Sequence, residues 1–289
     1  YLSSPIDRRP KFHLYQPNIA LISGIAWDHI NVFPTYENYV EQFEIFIDKI
    51  TNGGILVYNE DDAEVKRVSE TATNPIRKLP YTTPAYSVND GVTLLETPEG
   101  PMPIEVFGAH NLNNLAGAKW ICQNMGVDEA DFYEAIASFK GASKRLEKIA
   151  EGKGRVAYKD FAHSPSKVAA TTKAVKEQYP NRTLVACLEL HTYSSLNAEF
   201  LKEYEGALEY ADEAVVFYSP DAVKIKQLEE VTYEQIAKSF NREDLIIYTN
   251  PAEFKNYLFN RNLDNSALLL MSSGNYGGLN FDEVKQLIE

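Results

Sequence analysis

Asn18-Ile-Ala-Leu-Ile-Ser-Gly24 is a short apolar run that ends in a turn signal, and it predicts a buried strand. Aromatic and aliphatic side chains then recur at helical spacing from Tyr36 to Ile50, and Asn52-Gly53-Gly54 ends the predicted helix. Gly54-Ile-Leu-Val-Tyr58 is the next apolar run. A strand, a helix and a strand over this distance predict a βαβ unit with parallel strands.

A second alternation of strands and helices occupies the C-terminal half of the chain. Lys167–Gln178 and Ala198–Tyr210 predict helices. The apolar runs that predict strands are Arg155–Tyr158, Leu184–Leu190, Ala214–Tyr218, Leu245–Tyr248 and Ala267–Met271. This alternation predicts a doubly wound, Rossmann-like α/β domain.

The region between the two alternations contains the predicted domain boundary. Residues 81–107 indicate short peripheral strands, broken by Pro and Gly and paired antiparallel. Asn111–Asn124 and Asp128–Phe139 predict two helices. The basic, Gly-containing stretch Lys140-Gly-Ala-Ser-Lys-Arg145 is the best linker candidate. We expect one domain over residues 1–142 and another over residues 143–289.

Composition limits the class of protein. A chain of 289 residues is long enough for two cores, and its net charge of -13 argues against a nucleic-acid partner. No apolar run approaches the roughly 20 residues that span a bilayer, so we expect no membrane partner. Cys122 and Cys187 both lie in apolar runs, which is typical of free, buried thiols in a reducing compartment such as the cytoplasm.

Four of the five histidines lie where ligands collect in open parallel sheets, at strand ends or helix starts. They are His29, His110, His163 and His191. Asp28-His29 follows the first strand and offers a carboxylate and an imidazole that could complete Mg²⁺ coordination, but taken alone the motif favours a turn that Asp28 caps.

Two further motifs suit contacts to a nucleotide. Gly108-Ala-His110-Asn111-Leu-Asn113-Asn114 opens a helix with three asparagines, whose amides match a purine edge, whereas a helix cap needs only one. Asp160-Phe-Ala-His163-Ser164-Pro165 ends a strand and begins a helix. An Asp at a strand end can accept hydrogen bonds from ribose hydroxyls. The same motif is about equally typical of a helix start without a ligand, because Pro is common in the first helical turn.

Small polar loops follow two of the strongest predicted strands. Glu189-Leu-His191-Thr-Tyr-Ser-Ser195 and Ser272-Ser-Gly274-Asn-Tyr-Gly277-Gly278 can turn backbone N–H groups toward an anion. The sequence contains neither a G-x-x-x-x-G-K-[ST] phosphate loop nor a G-x-G-x-x-G dinucleotide fingerprint. The sequence therefore predicts contacts to the edge of a nucleotide but no triphosphate-binding loop. It does not predict a dehydrogenase.

In order and spacing these motifs resemble those of the Mur ligases, which use ATP to join amino acids or peptides to a UDP-linked sugar acid. Asp28-His29 is similar to the family's Asp-His after a central-domain strand, and His110-Asn111-x-x-Asn114 to its adenine-site motif. Lys144-Arg145-Leu-Glu147 resembles the basic pair that begins the C-terminal domain. Asp160–Pro165 resembles the signature Asp-[Tyr/Phe]-[Ala/Gly]-His-x-Pro, with Ser164 where His or Asn is more usual.

The resemblance implies the rear part of a Mur ligase central ATP-binding domain followed by a C-terminal Rossmann-like, doubly wound α/β domain. In that family the UDP-binding domain and the phosphate loop lie upstream of the position of Tyr1, so we expect a fragment that is inactive by itself. The implied substrates and cofactors are ATP, Mg²⁺, UDP-N-acetylmuramate and an amino acid or peptide acceptor. ATP would convert the muramate carboxylate to an acyl phosphate, which the acceptor amine attacks.

The resemblance also implies roles for individual residues. His29 is expected to be catalytic as a Mg²⁺ ligand, and Arg145 to be catalytic by reaching the phosphates. The residues expected at the nucleotide are Asn111 and Asn114 on adenine, Asp160 on ribose, His163 nearby, and Arg145. The residues expected at the acceptor are His191, Ser194, Ser273 and Asn275.

The sequence leaves alternatives open for two properties, the identity of the acceptor and the class of protein. Ser272–Leu279 is similar to the closing loop of family members that add L-alanyl-γ-D-glutamyl-meso-diaminopimelate to UDP-N-acetylmuramate in peptidoglycan recycling, and this is the activity that we expect first. The alternative is the branch that adds L-alanine alone, and residues 189–195 lack the arginine expected of the tripeptide branch. An alternative of another class is a non-catalytic nucleotide-binding module.

Overall fold

The computed structural model describes residues 2–89, 91–229 and 231–289. The chain divides into two compact units. Unit 1 comprises residues 1–87 and 93–139, and unit 2 comprises residues 88–92 and 140–289. The described ranges contain no helix that is both long and apolar enough to cross a membrane.

Unit 1 is built on a three-stranded sheet in the order β1-β2-β3, with both strand pairs parallel. The strands are β1 (Ile19–Ile22), β2 (Ile55–Asn59) and β3 (Arg77–Tyr81). Helix α1 (Tyr36–Asp48) connects β1 to β2, and α2 (Ala63–Thr71) connects β2 to β3. The predicted βαβ unit is confirmed, whereas α2 and β3 were not predicted from the sequence.

Local hydrogen bonds start both helices. The Thr35 hydroxyl accepts from Asn38 N at the start of α1, and the Asp62 carboxylate accepts from Glu64 N and Val65 N at the start of α2. Each helix then packs an apolar face on the sheet, where Ile47, Leu56, Val65 and Val68 form part of the buried core. The sheet is therefore covered by helices, and its strand ends carry the polar residues.

A second sheet and two helices complete the first 139 residues. The sheet order is β4 (Tyr86–Asn89), β5 (Val92–Thr97) and β6 (Gly100–Ile104), and β5 pairs antiparallel with β6 as predicted. Helices α3 (Ala109–Asn124) and α4 (Glu129–Ala137) follow and cover a small core. Both helices were predicted.

Unit 2 contains a six-stranded sheet in the order β11-β10-β9-β12-β8-β7. The strands are β7 (Glu147–Gly152), β8 (Arg155–Asp160), β9 (Thr183–Leu190), β10 (Glu213–Tyr218), β11 (Ile246–Tyr248) and β12 (Ser266–Met271). All neighbours are parallel except β7, which pairs antiparallel with β8. The helices are α5 (Pro165–Gln178), α6 (Pro220–Ile225), α7 (Tyr233–Phe240), α8 (Pro251–Asn260) and α9 (Phe281–Ile288).

The five predicted strands of this domain are confirmed, and their burial explains why. Val185, Val215, Leu268 and Leu270 are almost wholly buried, as expected for central parallel strands covered on both faces. Cys187 lies in the same core, and both Cys187 and the partly buried Cys122 are free thiols. The expectation of unpaired cysteines is therefore confirmed.

The predicted helix Ala198–Tyr210 is wrong. The structure instead has two short 3-10 helices, Ser194–Leu196 and Leu201–Tyr204, followed by turns. Gly206 has a φ of 73°, which interrupts any continuous helix. The side chain of Asn197 accepts from Phe200 N and so favours a local turn. The apolar spacing that suggested a helix reflects burial of this turn-rich segment.

Candidate functional site

Asp28 and His29 lie after β1 in unit 1. Asp28 is nearly buried, and its Oδ1 accepts from the backbone N of His29 at 2.7 Å. Its Oδ2 is 3.9 Å from Nε2 of His29. His29 has a φ of 56°, which is uncommon for a residue with a side chain. The turn thus keeps an imidazole that is about one-third exposed beside a carboxylate.

Side chains at the ends of β1, β2 and β3 are joined to α3 by a hydrogen-bond cluster, the Asn113 cluster (Ser23, Asn59, Asp61, Thr83 and Asn113). The buried Asn113 amide donates to Asn59 Oδ1 at 2.9 Å and to Thr83 Oγ1 at 3.1 Å. Asp61 Oδ2 accepts from Thr83 N at 2.7 Å, and Asn59 donates to Ser23 O at 3.1 Å. The cluster therefore fixes the start of α3 to the sheet.

The three asparagines of α3 have different surroundings. Asn113 is buried, Asn111 is partly buried and donates to Phe107 O at 2.9 Å, and Asn114 is exposed. The sequence motif assigned adenine to Asn111 and Asn114, and that assignment stays a prediction. Asn113 was quoted in the motif without a role. The polar run Asn59-Glu-Asp-Asp62 after a predicted strand was the available signal for this cluster.

In unit 2 the Asp160 carboxylate ends β8 and shapes the adjoining loop. Its Oδ2 accepts from Leu146 N and its Oδ1 from Ala162 N, both at 2.6 Å. Burial raises the pKa of Asp160 above its ordinary value, although these two N–H groups act in the opposite direction. Both carboxylate oxygens thus fold the backbone around the strand end. Contact with a ribose stays a prediction.

Arg145 and His163 both contact the ring of Phe161. The guanidinium of Arg145 is 5.6 Å from the centre of the Phe161 ring, a cation–π distance. The His163 ring meets Phe161 edge-on at 5.3 Å, and its Nδ1 is 2.8 Å from Phe161 O. Arg145 is exposed, whereas His163 is buried. Three of the predicted nucleotide residues, Arg145, Asp160 and His163, are therefore gathered at the end of β8.

The ends of β9 and β12 meet at a second buried carboxylate, which the sequence did not single out. We call this the Glu189 cluster (Glu189, His191, Ser272 and Tyr276). Glu189 Oε2 accepts from Tyr276 N at 2.8 Å and from the Ser272 hydroxyl. Its Oε1 is 3.6 Å from Nδ1 of His191. Burial also raises the pKa of Tyr276 far above its ordinary value.

The other predicted acceptor residues have different environments. The Ser273 hydroxyl oxygen is buried and has no hydrogen-bond partner among the described residues. Asn275 is exposed and its Oδ1 accepts from Gly278 N at 3.1 Å, so it shapes the loop. Ser194 is buried in a 3-10 helix. His191 thus belongs to the Glu189 cluster and Ser273 follows its member Ser272 in the chain, and the roles of all four predicted residues at an acceptor stay predictions.

Among the described residues, the side chains at these strand ends do not form a metal site by themselves, and a sizeable cavity lies elsewhere. Within residues 2–89, 91–229 and 231–289, no three or more His, Cys, Asp or Glu side chains form a group that could hold a metal ion. Asp28 and His29 supply only two such side chains, whereas Mg²⁺ requires octahedral, mainly oxygen coordination. His29 as a Mg²⁺ ligand therefore stays a prediction. A cavity of about 620 Å³ lies between α8 and α9, and no predicted site residue lines it.

Two family models match this chain consecutively. The Mur ligase middle domain matches residues 7–122, and the model described as Mur ligase, glutamate ligase domain matches residues 144–274. The parallel sheets and the motifs at their strand ends agree with these matches. The chain belongs to the Mur ligase family.

Similar proteins include a UDP-N-acetylmuramate--L-alanine ligase of Caldicellulosiruptor bescii, 29% identical over 217 residues that cover 71% of this chain and 47% of that protein. A murein peptide ligase of Psychrobacter arcticus is similar in fold, with a TM-score of 0.64, 17% identity, and coverage of 100% of this chain and 61% of that one. The MurF ligase of Thermotoga maritima, solved with ADP, has a TM-score of 0.67, 18% identity, and coverage of 94% and 61%. The chain spans about half the length of the curated relatives it matches.

Proposed function

We propose that this chain forms part of an ATP-dependent ligase that joins L-alanine to UDP-N-acetylmuramate through an acyl phosphate. The observation that supports it most is the gathering of Arg145, Asp160 and His163 at the end of β8, within a matched Mur ligase domain. The curated relatives, which are named as UDP-N-acetylmuramate--L-alanine ligases, support L-alanine as the acceptor. Because the chain spans only part of those relatives, the activity is proposed for the complete protein.

In the proposed reaction the γ-phosphoryl group of ATP passes to a muramate carboxylate oxygen, which leaves ADP and an acyl phosphate. The acceptor amine then attacks the acyl carbon, the tetrahedral intermediate expels phosphate, and the amine loses a proton as the amide forms. The residues here contribute positioning and charge stabilisation. When bound, Mg²⁺ would neutralise phosphate charge, with His29 as one of its ligands.

Individual side chains serve ATP in this proposal. Asn111 and Asn114 read the adenine edge, and the exposed guanidinium of Arg145 donates to phosphate oxygens. The Phe161 ring contacts the Arg145 guanidinium and so helps to hold it at the end of β8. Asp160 keeps the loop before β7 next to the end of β8, with its ribose contact as an additional role.

A second acceptor is favoured by one specific observation. Ser272–Leu279 resembles the closing loop of ligases that add the tripeptide L-alanyl-γ-D-glutamyl-meso-diaminopimelate, and a murein peptide ligase is among the similar folds. The curated relatives support L-alanine better, and residues 189–195 contain no arginine. We therefore rank the tripeptide second, with the recycling role that it implies. A cytoplasmic location accompanies either acceptor.

The experiment is ADP release by the full-length protein with ATP, Mg²⁺ and UDP-N-acetylmuramate, with L-alanine or the tripeptide as acceptor. Mass spectrometry identifies the amide product. Turnover with L-alanine supports the proposal, turnover with the tripeptide alone moves the protein to the recycling branch, and turnover with neither rejects both. Calorimetry with ADP and Mg²⁺ then detects a binding module that does not catalyse.

Arg145→Ala tests the role of the nucleotide-side guanidinium. We expect turnover to fall about 100-fold, because a donor that stabilises transferring phosphoryl charge is lost. The matched control is Arg8→Ala, which removes an exposed arginine near the start of the sequence and outside the proposed site. Equal turnover in both variants would reject the role of Arg145.

A further inference from the structure

The carboxylate of Glu189 is buried, and its two oxygens have different neighbours. Glu189 is 3% exposed at the end of β9. Oε2 accepts from Tyr276 N at 2.8 Å and from the Ser272 hydroxyl, so it fastens the β12 loop (residues 272–278) to the β9 loop (residues 189–195). Oε1 instead faces Nδ1 of His191 at 3.6 Å. One oxygen is structural, and the other faces an exposed imidazole.

Burial of a carboxylate costs free energy unless its oxygens are paired, so a glutamate at this buried position requires a compensating role. Fastening two loops could be done by a neutral amide, because Tyr276 N and the Ser272 hydroxyl are both neutral donors. The charge matters to the remaining neighbour, His191. The charge of Glu189 therefore acts on the imidazole.

His191 is well suited to meet an anionic group. Its side chain is 43% exposed, although Glu189 behind it is buried. Neither the β9 loop nor the β12 loop contains Lys or Arg, so His191 is the one side chain of the two loops that can carry positive charge. An acceptor carboxylate at these loops would meet the imidazole.

The β12 loop packs tightly against both members of this pair. A Cβ added to Gly274 would lie 2.9 Å from Glu189 Oε2 and 3.1 Å from Cγ of His191. The loop backbone thus limits movement of the carboxylate and of the ring together. The His191 ring thus lies close to both the Glu189 carboxylate and the backbone at Gly274.

We propose that Glu189 is a positioning residue for the acceptor, a role that rests on the proposed ligase function. Oε2 joins the two loops, and Oε1 attracts the Nδ1–H edge of His191. In the imidazolium form, the opposite ring nitrogen then donates its Nε2–H to the carboxylate of the incoming L-alanine. Glu189 acts by orienting His191 and does not touch the substrate.

Glu189→Gln separates the two tasks of the carboxylate in the full-length protein. The amide keeps an oxygen for Tyr276 N and removes the charge that faces His191. We expect the KM for L-alanine to rise about tenfold, the effect of about 1.4 kcal/mol, with the KM for ATP and the melting temperature unchanged. The matched control is Glu199→Gln, an exposed glutamate in the following segment that should leave both KM values unchanged.

A double variant tests whether the effect passes through His191. If it does, Glu189→Gln adds nothing to the KM of His191→Gln, so the two changes are strongly non-additive. Additive changes, equal increases in the KM for ATP and for L-alanine, or unchanged kinetics in Glu189→Gln would each overturn the proposal. These results would leave Glu189 with a purely structural role.

Nitrogen NMR of the His191 ring tests the positioning without turnover. We expect added L-alanine to shift the Nε2 signal of His191 in the wild type, and the same L-alanine concentration to shift it much less in Glu189→Gln. Equal shifts in the two proteins would overturn the proposal. Wild-type protein that releases no ADP with either acceptor would reject the ligase function instead, so the two failures are distinguishable.

Discussion

The two units fix their strand ends with different chemistry. In unit 1 the Asn113 cluster is centred on a neutral amide that donates to Asn59 and Thr83. In unit 2 the corresponding positions hold two buried carboxylates, Asp160 and Glu189, which accept from backbone N–H groups. Both arrangements anchor loops at the carboxyl ends of parallel strands, and only the second is built on groups that can titrate.

This difference determines how each strand end responds to mutation and pH. A buried amide does not titrate, and its loss leaves its partners without a hydrogen bond. A buried carboxylate has a larger desolvation cost than an amide. Its removal leaves backbone N–H donors buried without an acceptor, which lowers the free energy of unfolding. We therefore expect unit 2 to be the more sensitive of the two, both to substitution and to protonation.

The largest expected effect is that of Asp160→Ala. Two buried donors, Leu146 N and Ala162 N, lose their acceptor, and we expect unit 2 to lose about 3 kcal/mol of its free energy of unfolding. Hydrogen exchange followed by mass spectrometry should show lost protection at residues 144–162. The control Asp221→Ala removes an exposed carboxylate. Protection unchanged in both variants would contradict the anchoring role.

Asn113→Ala should cost less, about 2 kcal/mol in unit 1, because neutral partners lose a neutral donor. Protection should fall at the ends of β1, β2 and β3 and at the start of α3, and the strands of unit 2 should be unaffected. Asn114→Ala is the matched control, since Asn114 is the exposed next residue on the same helix. A cost as large as that of Asp160→Ala would remove the distinction between the two units.

The pH dependence of Asp160 sharpens the comparison. Because burial raises the pKa of Asp160, the folded protein binds its proton more readily than the unfolded chain. The resulting stabilisation is complete below the unfolded pKa and is lost as pH rises through the folded pKa. The free energy of unfolding of wild type minus that of Asp160→Asn should thus decrease as pH rises from about 3 to about 7 in urea titrations. A constant or rising difference would show that the hydrogen bonds dominate.

The parts of the fold that could be predicted are those with a strong apolar pattern. Strands such as Leu184–Leu190 are buried on both faces, so their sequence is continuously hydrophobic. The edge strand β7 was missed, because Glu147-Lys-Ile-Ala-Glu-Gly152 has charged positions at an exposed sheet edge. Segment Ala198–Tyr210 was misassigned, since burial of a turn-rich segment imitates helical spacing.

The candidate site residues divide in a similar way, into those that a local sequence pattern predicts and those that it does not. Arg145, Asp160 and His163 lie close together in sequence motifs, and the strand end that connects them makes their proximity predictable. Glu189 and Asn113 were quoted within motifs, but their importance depends on partners far along the chain. Tyr276 contacts Glu189 across 87 positions, and Asn59 contacts Asn113 across 54. No local spacing encodes those pairs.

The smallest expected effect compares the two cysteines, one in each unit. Burial raises the pKa of the Cys187 thiol to about 12, whereas Cys122 is only partly buried. Because the thiolate is the nucleophile, roughly one Cys187 in 10,000 is reactive at pH 8. We expect iodoacetamide to label Cys122 in the native protein and Cys187 only after urea unfolds unit 2, as measured by peptide mass spectrometry. In Asp160→Ala, labelling of Cys187 should begin at lower urea, while labelling of Cys122 is unchanged. Equal shifts at both cysteines would mean that the two units unfold together, and the contrast between their strand ends would then not extend to their stability.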